Sequence, residues 1–351
     1  ITAVSGVAER AEFVEQASIW GGFRSEDAAV VATAGSPQLS SAICLALGNI
    51  APTQLAEPAV QIWLDQAREW CQQPDATLHI AAERLLQRWA PGQILASGTG
   101  DSNAAWTMTS SGHLLLLVPP GSFRRGIRDS DTGVAEDVVI RQPFRLAASE
   151  VTLAQFLEFI IDPATPEDQK PAGWSRDDQL APDVTSNPVQ KVSWTDAVLY
   201  CNWLSRRAQL QPCYISTDSG VWKLDPVADG YRLPDEAEWE WAVRCGQGNE
   251  EIPLVPPRLL DRYARFSSTA PGPGGTLLPA ANGFYDLLGN VAEWCEDSNP
   301  ADETQRAVRG GSYLTGPGDL LTRDSRFVVA DDRSDLYGFR IAQSVPENGG
   351  R

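Results

Sequence analysis

Residues 285–294 read YDLLGNVAEW. Within this block Asp286 and Glu293 flank a turn at Gly289-Asn290-Val291, where the backbone must double back tightly. Two carboxylates and several turn carbonyls are thereby drawn into one oxygen-rich, irregular environment. Ca2+ accepts such a shell, so this is the best candidate for bound chemistry in the chain. A domain that places a conspicuous polar turn directly before a tryptophan is using heavy side chains, rather than long regular elements, to build its core.

The sequence on either side has the same character. From about residue 105 onward, prolines, glycines and short apolar runs alternate with only three convincing helices, at 153–161, 194–210 and 235–245. Ser193 is placed to cap the second helix, with Asp196 completing a capping box. Pro234 falls at or near the first position of the third, with Asp235 and Glu236 in the first turn where the helix dipole favours anions. The run WTMTSSGHLLLLVPPGSF, from Trp106, predicts a strand that stops at the Pro119-Pro120-Gly121 turn. A few helices among long irregular stretches describe an α+β domain. Trp194, Trp203, Trp239, Trp241 and Trp294 are expected in its core. Glu236, Glu238 and Glu240 are expected in structural ion pairs rather than in acid–base chemistry, since residues two apart face different sides of a helix.

The first ninety residues differ. Apolar residues recur at three- and four-residue spacing, giving helices around 40–48, 58–71 and 76–89, the last capped near Pro74-Asp75 and striped by Leu78, Ala82, Leu85, Leu86 and Trp89. The expected division is a small HEAT-like α-helical domain over 1–95, a glycine-rich linker over 96–104, the α+β domain over 105–345 and a short tail over 346–351. Lys+Arg 28 against Asp+Glu 46 gives a net charge of -18, which disfavours nucleic acid and anionic lipid as partners. No apolar run suits a membrane span. Six cysteines without CxxC spacing suit buried thiols in a cytoplasmic protein. Of the two histidines, His79 reads as a structural residue and His113 lies outside every block.

Five blocks stand in order: FRLAASEVTLAQFLEF at 144–159, NPVQKVSWTDAVLYCNW at 187–203, YRLPDEAEWEWA at 231–242, YDLLGNVAEW at 285–294, and RGGS at 309–312 closing with YGFRI at 337–341. Together they resemble the formylglycine-generating-enzyme, or sulfatase-modifying-factor, family. The resemblance implies a decorated C-type-lectin-like fold. It also implies a structural Ca2+ held by the side chains of Asp286 and Glu293 and the carbonyls of Gly289 and Val291. Active members carry two copper(I)-binding cysteines three and eight residues after the serine of GGS. Here those positions are Thr315 and Leu320, neither able to supply a thiolate, so no copper and no parent oxidase activity are expected.

What remains is a recognition surface on the segment after Ser312. Ser312, Asp319, Arg323, Arg326, Phe327, Arg333 and Tyr337 are the candidate ligand-binding residues, a mixture of charge and aromatic anchors that suits a peptide or protein partner. The preferred reading is a non-catalytic sensor or substrate-docking module at the C-terminal end of a larger bacterial protein, fused to or paired with an effector. An enzyme with an altered cofactor and a retroelement-diversified ligand-binding protein are the alternatives.

Overall fold

The computed structural model describes residues 7–20, 22–92, 104–125, 136–171, 173–174, 184–217, 220–244, 256–320 and 325–345. The expected linker up to residue 103, the tail at 346–351, Arg323 and Cys245 lie outside these residues.

Five helices open the chain: α1 (Val7–Trp20), α2 (Ser25–Ala34), α3 (Pro37–Gly48), α4 (Glu57–Trp70) and α5 (Ala76–Trp89). Their ends follow local chemistry. The Ser36 hydroxyl accepts the Leu39 N–H ahead of α3, with Pro37 in its first turn, and Asp75 accepts the Leu78 N–H at 2.8 Å to start α5. α3 is buried from Ser40 to Gly48 and sits between α1 and α5, while α4 packs on α2 and α5. The stripe read from Leu78 to Trp89 is buried throughout. His79 is buried too, with Nδ1 2.7 Å from the Cys71 carbonyl and its ring stacked 3.6 Å from Trp106. Its Nε2 lies 3.7 Å from Glu83, one turn further along the helix.

The remainder is built on two principal sheets. The first has the order β1 (Trp106–Met108), β2 (Leu114–Val118), β5 (Phe144–Ala147), β13 (Ala342–Ser344) and β8 (Tyr231–Arg232), all antiparallel. Pairing β5 with β13 joins the two ends of the domain. The second has the order β11 (Ser325–Val329), β10 (Asp302–Arg309), β9 (Ala292–Asn299) and β12 (Tyr337–Gly338), with β12 parallel to β9. Two-stranded ribbons β3 (Gly121–Arg125) with β4 (Glu136–Ile140), and β6 (Tyr214–Ser216) with β7 (Trp222–Leu224), complete the strands described. The single strand expected from Trp106 is instead the β1–β2 hairpin. The Thr109 N–H donates to the His113 carbonyl, and Gly112 takes a φ of 76° that a side chain would resist.

Three helices cross the domain at the expected places: α6 (Leu153–Ile161), α7 (Trp194–Arg207) and α8 (Glu236–Val243). The Ser193–Asp196 capping box is formed. At α8 the cap is Asp235 rather than a residue before Pro234, because the Asp235 carboxylate accepts the Glu238 N–H at 2.6 Å while Glu238 accepts the Asp235 N–H at 3.0 Å. All five expected tryptophans are buried, and each indole N–H has an acceptor: Cys295 O, Asp162, Glu293, Pro119 O and Val192 O respectively. That satisfaction is what lets so large a polar-tipped side chain fill a core with little regular structure.

The helical region is not an independent bead. Leu259, Tyr263 and Leu278 insert into its core, while Ile80 of α5 is buried in the core of the sheets, beside Leu116. Arg10 donates to the Ala281 carbonyl at 2.7 Å, and Arg84 to those of Gly275 and Thr276 at 3.1 and 2.9 Å.

Candidate functional site

At the Gly289 turn the backbone takes positive φ at Asp286, Gly289 and Asn290. A Cβ on Gly289 would stand 2.0 Å from the Arg265 carbonyl oxygen, so only glycine fits. The carboxylates are held as follows. Glu293 receives Nε and Nη2 of Arg340, both at 2.6 Å, and the Trp239 indole N–H at 2.8 Å. Asp286 receives the Gly275 N–H at 2.8 Å. A third carboxylate, Glu150, receives the Asn290 amide at 2.6 Å and the Val291 N–H at 3.1 Å. Burial, reinforced by the neighbouring acids, pushes Glu150 well above the usual carboxylate range and raises Asp286 too.

This arrangement decides how well the expected calcium ligands fit. Glu293 is committed to a fully buried guanidinium and Glu150 to the Asn290 amide and the Val291 N–H, so a cation here would have to displace these bonds or draw on Asp286 and main-chain carbonyls, a poor match to the six to eight oxygens that Ca2+ takes. Among the described residues no group of three or more His, Cys, Asp or Glu is disposed to hold a metal ion. Asp286, Gly289, Val291 and Glu293 do come together, but around Arg340. The sequence reading missed both Arg340 and Glu150. An acid directly before Val151, ahead of the helix that Thr152 caps, was the available signal for the latter.

The turn's outward side shapes a cavity. The Asn290 carbonyl accepts the Tyr313 N–H, and the N–H groups of Ser267 and Ser268 donate to the carbonyls of Thr315 and Tyr313, fixing the loop after β10. Residues 311–319 of that loop and one face of the second sheet line an open cavity of about 500 Å3. The floor is Ala292 and Val308 with Tyr337, which is paired to Ala292 in register; the rim includes Leu314, Asp319, Ser325 and Arg326, the last opposite Val308 across β10 and β11. Ser312 and Thr315 supply hydroxyls to the wall.

Of the candidate ligand residues, Ser312, Asp319, Arg326 and Tyr337 therefore share this cavity. Phe327, one residue on along β11, points to the opposite face and packs half-buried against the core. Arg333 forms a two-pronged ion pair with Asp196 at 2.8 Å to each oxygen, which ties the segment to the first turn of α7. The cavity also shows what occupies the positions of the expected thiolate pair. Thr315 Oγ1 and a Leu320 methyl both lie within about 3 Å of the point where a Cβ on Gly311 would stand, so the two positions do converge. Thr315 Oγ1 accepts the Ser312 N–H, and Leu320 is buried. Cys295 offers no substitute. It is fully buried on the other face of β9, and burial pushes its thiol well up. All five described cysteines are buried and unbridged.

The three glutamates of α8 are structural. Glu236 and Glu240, one turn apart, converge on buried Arg309 at 3.1 and 3.0 Å, and Glu240 also binds Arg125 and Arg244. Glu238 pairs with Arg232 from the other side at 2.6 Å. Buried His113, whose ring nitrogen lies 2.6 Å from the Tyr200 hydroxyl, is lowered to about 3 by burial and stays neutral.

A family model described as the Sulfatase-modifying factor enzyme 1-like domain matches residues 103–345. Among curated relatives, the "Inactive C-alpha-formylglycine-generating enzyme 2" of Mus musculus is 27% identical over 272 residues, covering 66% of this chain and 86% of that protein. The "Serine/threonine-protein kinase pkn1" of Chlamydia caviae is 25% identical, over 66% of this chain but only 38% of its own length. Among solved structures, Treponema denticola variable protein 1 superposes with a TM-score of 0.55 at 23% identity, covering 67% of this chain and 95% of that one. The decorated C-type-lectin-like fold expected from the five blocks is thus the fold observed. No described helix is long and apolar enough to cross a membrane.

Proposed function

The chain belongs to the sulfatase-modifying-factor family, and we propose that this member is a non-catalytic module that recognises a peptide or protein segment in the cavity over β9 and β10. The observation that carries the reading is the wall of that cavity. A preformed concavity of about 500 Å3 persists beneath Gly311, within the size range of ligand sites, while the convergent pair beside it is a hydroxyl and a methyl instead of two thiolates. A concavity of that size supports binding, and the described positions beside it hold no soft ligand for redox chemistry. Similarity to a relative named inactive supports this reading. Similarity to part of a larger kinase supports placing the module as the sensor or docking region of a multidomain bacterial protein.

The test has two arms. Leu314 stands 57% exposed on the cavity rim, so Leu314→Arg should leave the fold intact while obstructing entry. Peptides selected on the full chain should bind the variant at least about tenfold more weakly, a loss of roughly 1.4 kcal/mol. Equal binding would place recognition elsewhere. In the second arm, cysteine peptides of the sulfatase type incubated with copper(I) and oxygen should keep their mass, and conversion of the cysteine would refute the non-catalytic reading.

A further inference from the structure

We infer that the cavity takes an acidic segment in extended form, with a carboxylate side chain of the ligand bonded to Arg326. This rests on the cavity being a recognition site. The inference comes from what the site's polar groups lack. In this acidic chain most described arginines around the cavity and core are committed: Arg309 to Glu236 and Glu240, Arg333 to Asp196 and Arg340 to Glu293. Arg326, exposed on the rim, has neither an ion pair nor a hydrogen bond among the described residues.

The groups around Arg326 point the same way. Tyr337 is buried against Trp294, with its hydroxyl unbonded among the described residues, and burial raises that phenol, keeping it a donor. The Ser312 hydroxyl accepts the Leu314 N–H, and that of Thr315 accepts the Ser312 N–H, which leaves each hydroxyl proton to be donated. Among the described residues of the lining, one guanidinium and four hydroxyls, Ser325 included, thus face one acid, Asp319. A donor-rich cavity with one unpaired cation favours an anion, and a guanidinium beside hydroxyls suits a carboxylate in charge-assisted hydrogen bonds.

The extended form follows from topology. β11 is the outer strand of its sheet, and no described strand pairs with its free edge. A segment laid along that edge as an added strand would send alternate side chains toward Arg326 and the cavity.

The test is selection from a peptide array on the full chain and on Arg326→Ala and Arg326→Glu, with matched neutral, acidic and phosphoserine sequences, thermal melts confirming that each variant is folded. The natural chain should select peptides with Asp or Glu at one fixed position. Arg326→Ala should weaken them about tenfold, Arg326→Glu should turn the preference toward Lys or Arg, and Tyr337→Phe should weaken acidic peptides selectively. Peptides selected without acidic enrichment, or an acidic preference unchanged in Arg326→Glu, would overturn this inference and leave the recognition reading standing. Binding of phosphoserine sequences alone would overturn the carboxylate assignment. If no peptide binds, the recognition reading fails and this inference with it.

Discussion

Arg340 shows how much one side chain can organise. It is fully buried, neutralises Glu293 through two 2.6 Å bonds, and donates to the Ala147 and Tyr285 carbonyls, while Glu150 and Asp286 stand close enough for their charges to act on it. Breaking a buried ion pair from one side is far costlier than a lost surface bridge, on the order of 3–5 kcal/mol, because the abandoned charge stays in a poor solvent. Arg340→Met leaves three buried acids without their guanidinium. The carboxyls of Glu150 and Asp286, already raised by burial, rise further without it, so the variant's stability is highest in acid and falls as pH rises through those raised values. Denaturant titrations should therefore show a deficit against the natural chain that is large at neutral pH and shrinks toward pH 4. The natural protein should melt at the same temperature in millimolar calcium as in excess chelator, and a calcium-dependent rise would restore a cation to the Gly289 turn.

At the scale of elements, α6, α7 and α8 start in the same way, each with a reciprocal capping box, at Thr152–Gln155, Ser193–Asp196 and Asp235–Glu238. Such signals are local, which is why these three helices were legible in the sequence to within a few residues. The start of α8 was misplaced only because Pro234 also suits a first helical position. The β1–β2 hairpin was missed because the polar residues 109–112 interrupt an apolar pattern that otherwise reads as one strand. The site was legible in the same measure. Ser312 and Tyr337 follow from the GGS and YGFR blocks, whereas Arg333 looks free to bind a ligand until Asp196, 137 positions away, is placed beside it. Asp235 also makes α8 pH-sensitive. Burial, then Glu238, raises its carboxyl to about 7. The folded state therefore holds a proton that the unfolded chain releases near pH 4, and this contribution to stability is complete below that pH and lost as pH rises through about 7. Asp235→Asn keeps a good cap but removes the titration, so its stability should decline less steeply between pH 4 and 7 than the natural chain's. An unchanged slope would mean that other groups, such as Glu296, also raised to about 7 by burial, carry the dependence.

At the scale of the molecule, composition divides the chain near residue 96 into a helical region and an α+β domain, and packing joins the two. Ile80 leaves the helical region for the core of the sheets, while Leu259, Tyr263 and Leu278 travel the other way. These exchanges are invisible in sequence because each partner is simply one more apolar residue in its own local pattern. The segment that makes them also continues to Ser267, Ser268 and Asn290, which hold the cavity loop through Thr315 and Tyr313. Helical region and cavity are thus mechanically in series. A shared core predicts shared cooperativity: helical ellipticity and tryptophan fluorescence should report one unfolding transition with a common midpoint. Ile80→Ala is the sharp probe, because Ile80 is 1% exposed, sits on α5, and packs beside Leu116 of the sheet. Truncating a buried isoleucine costs about 2–5 kcal/mol. In a coupled molecule that loss lowers both signals by the same amount. If the helical signal instead melted apart from the fluorescence, with only one of them moved by the substitution, the helical region would be a passenger and not a buttress of the site.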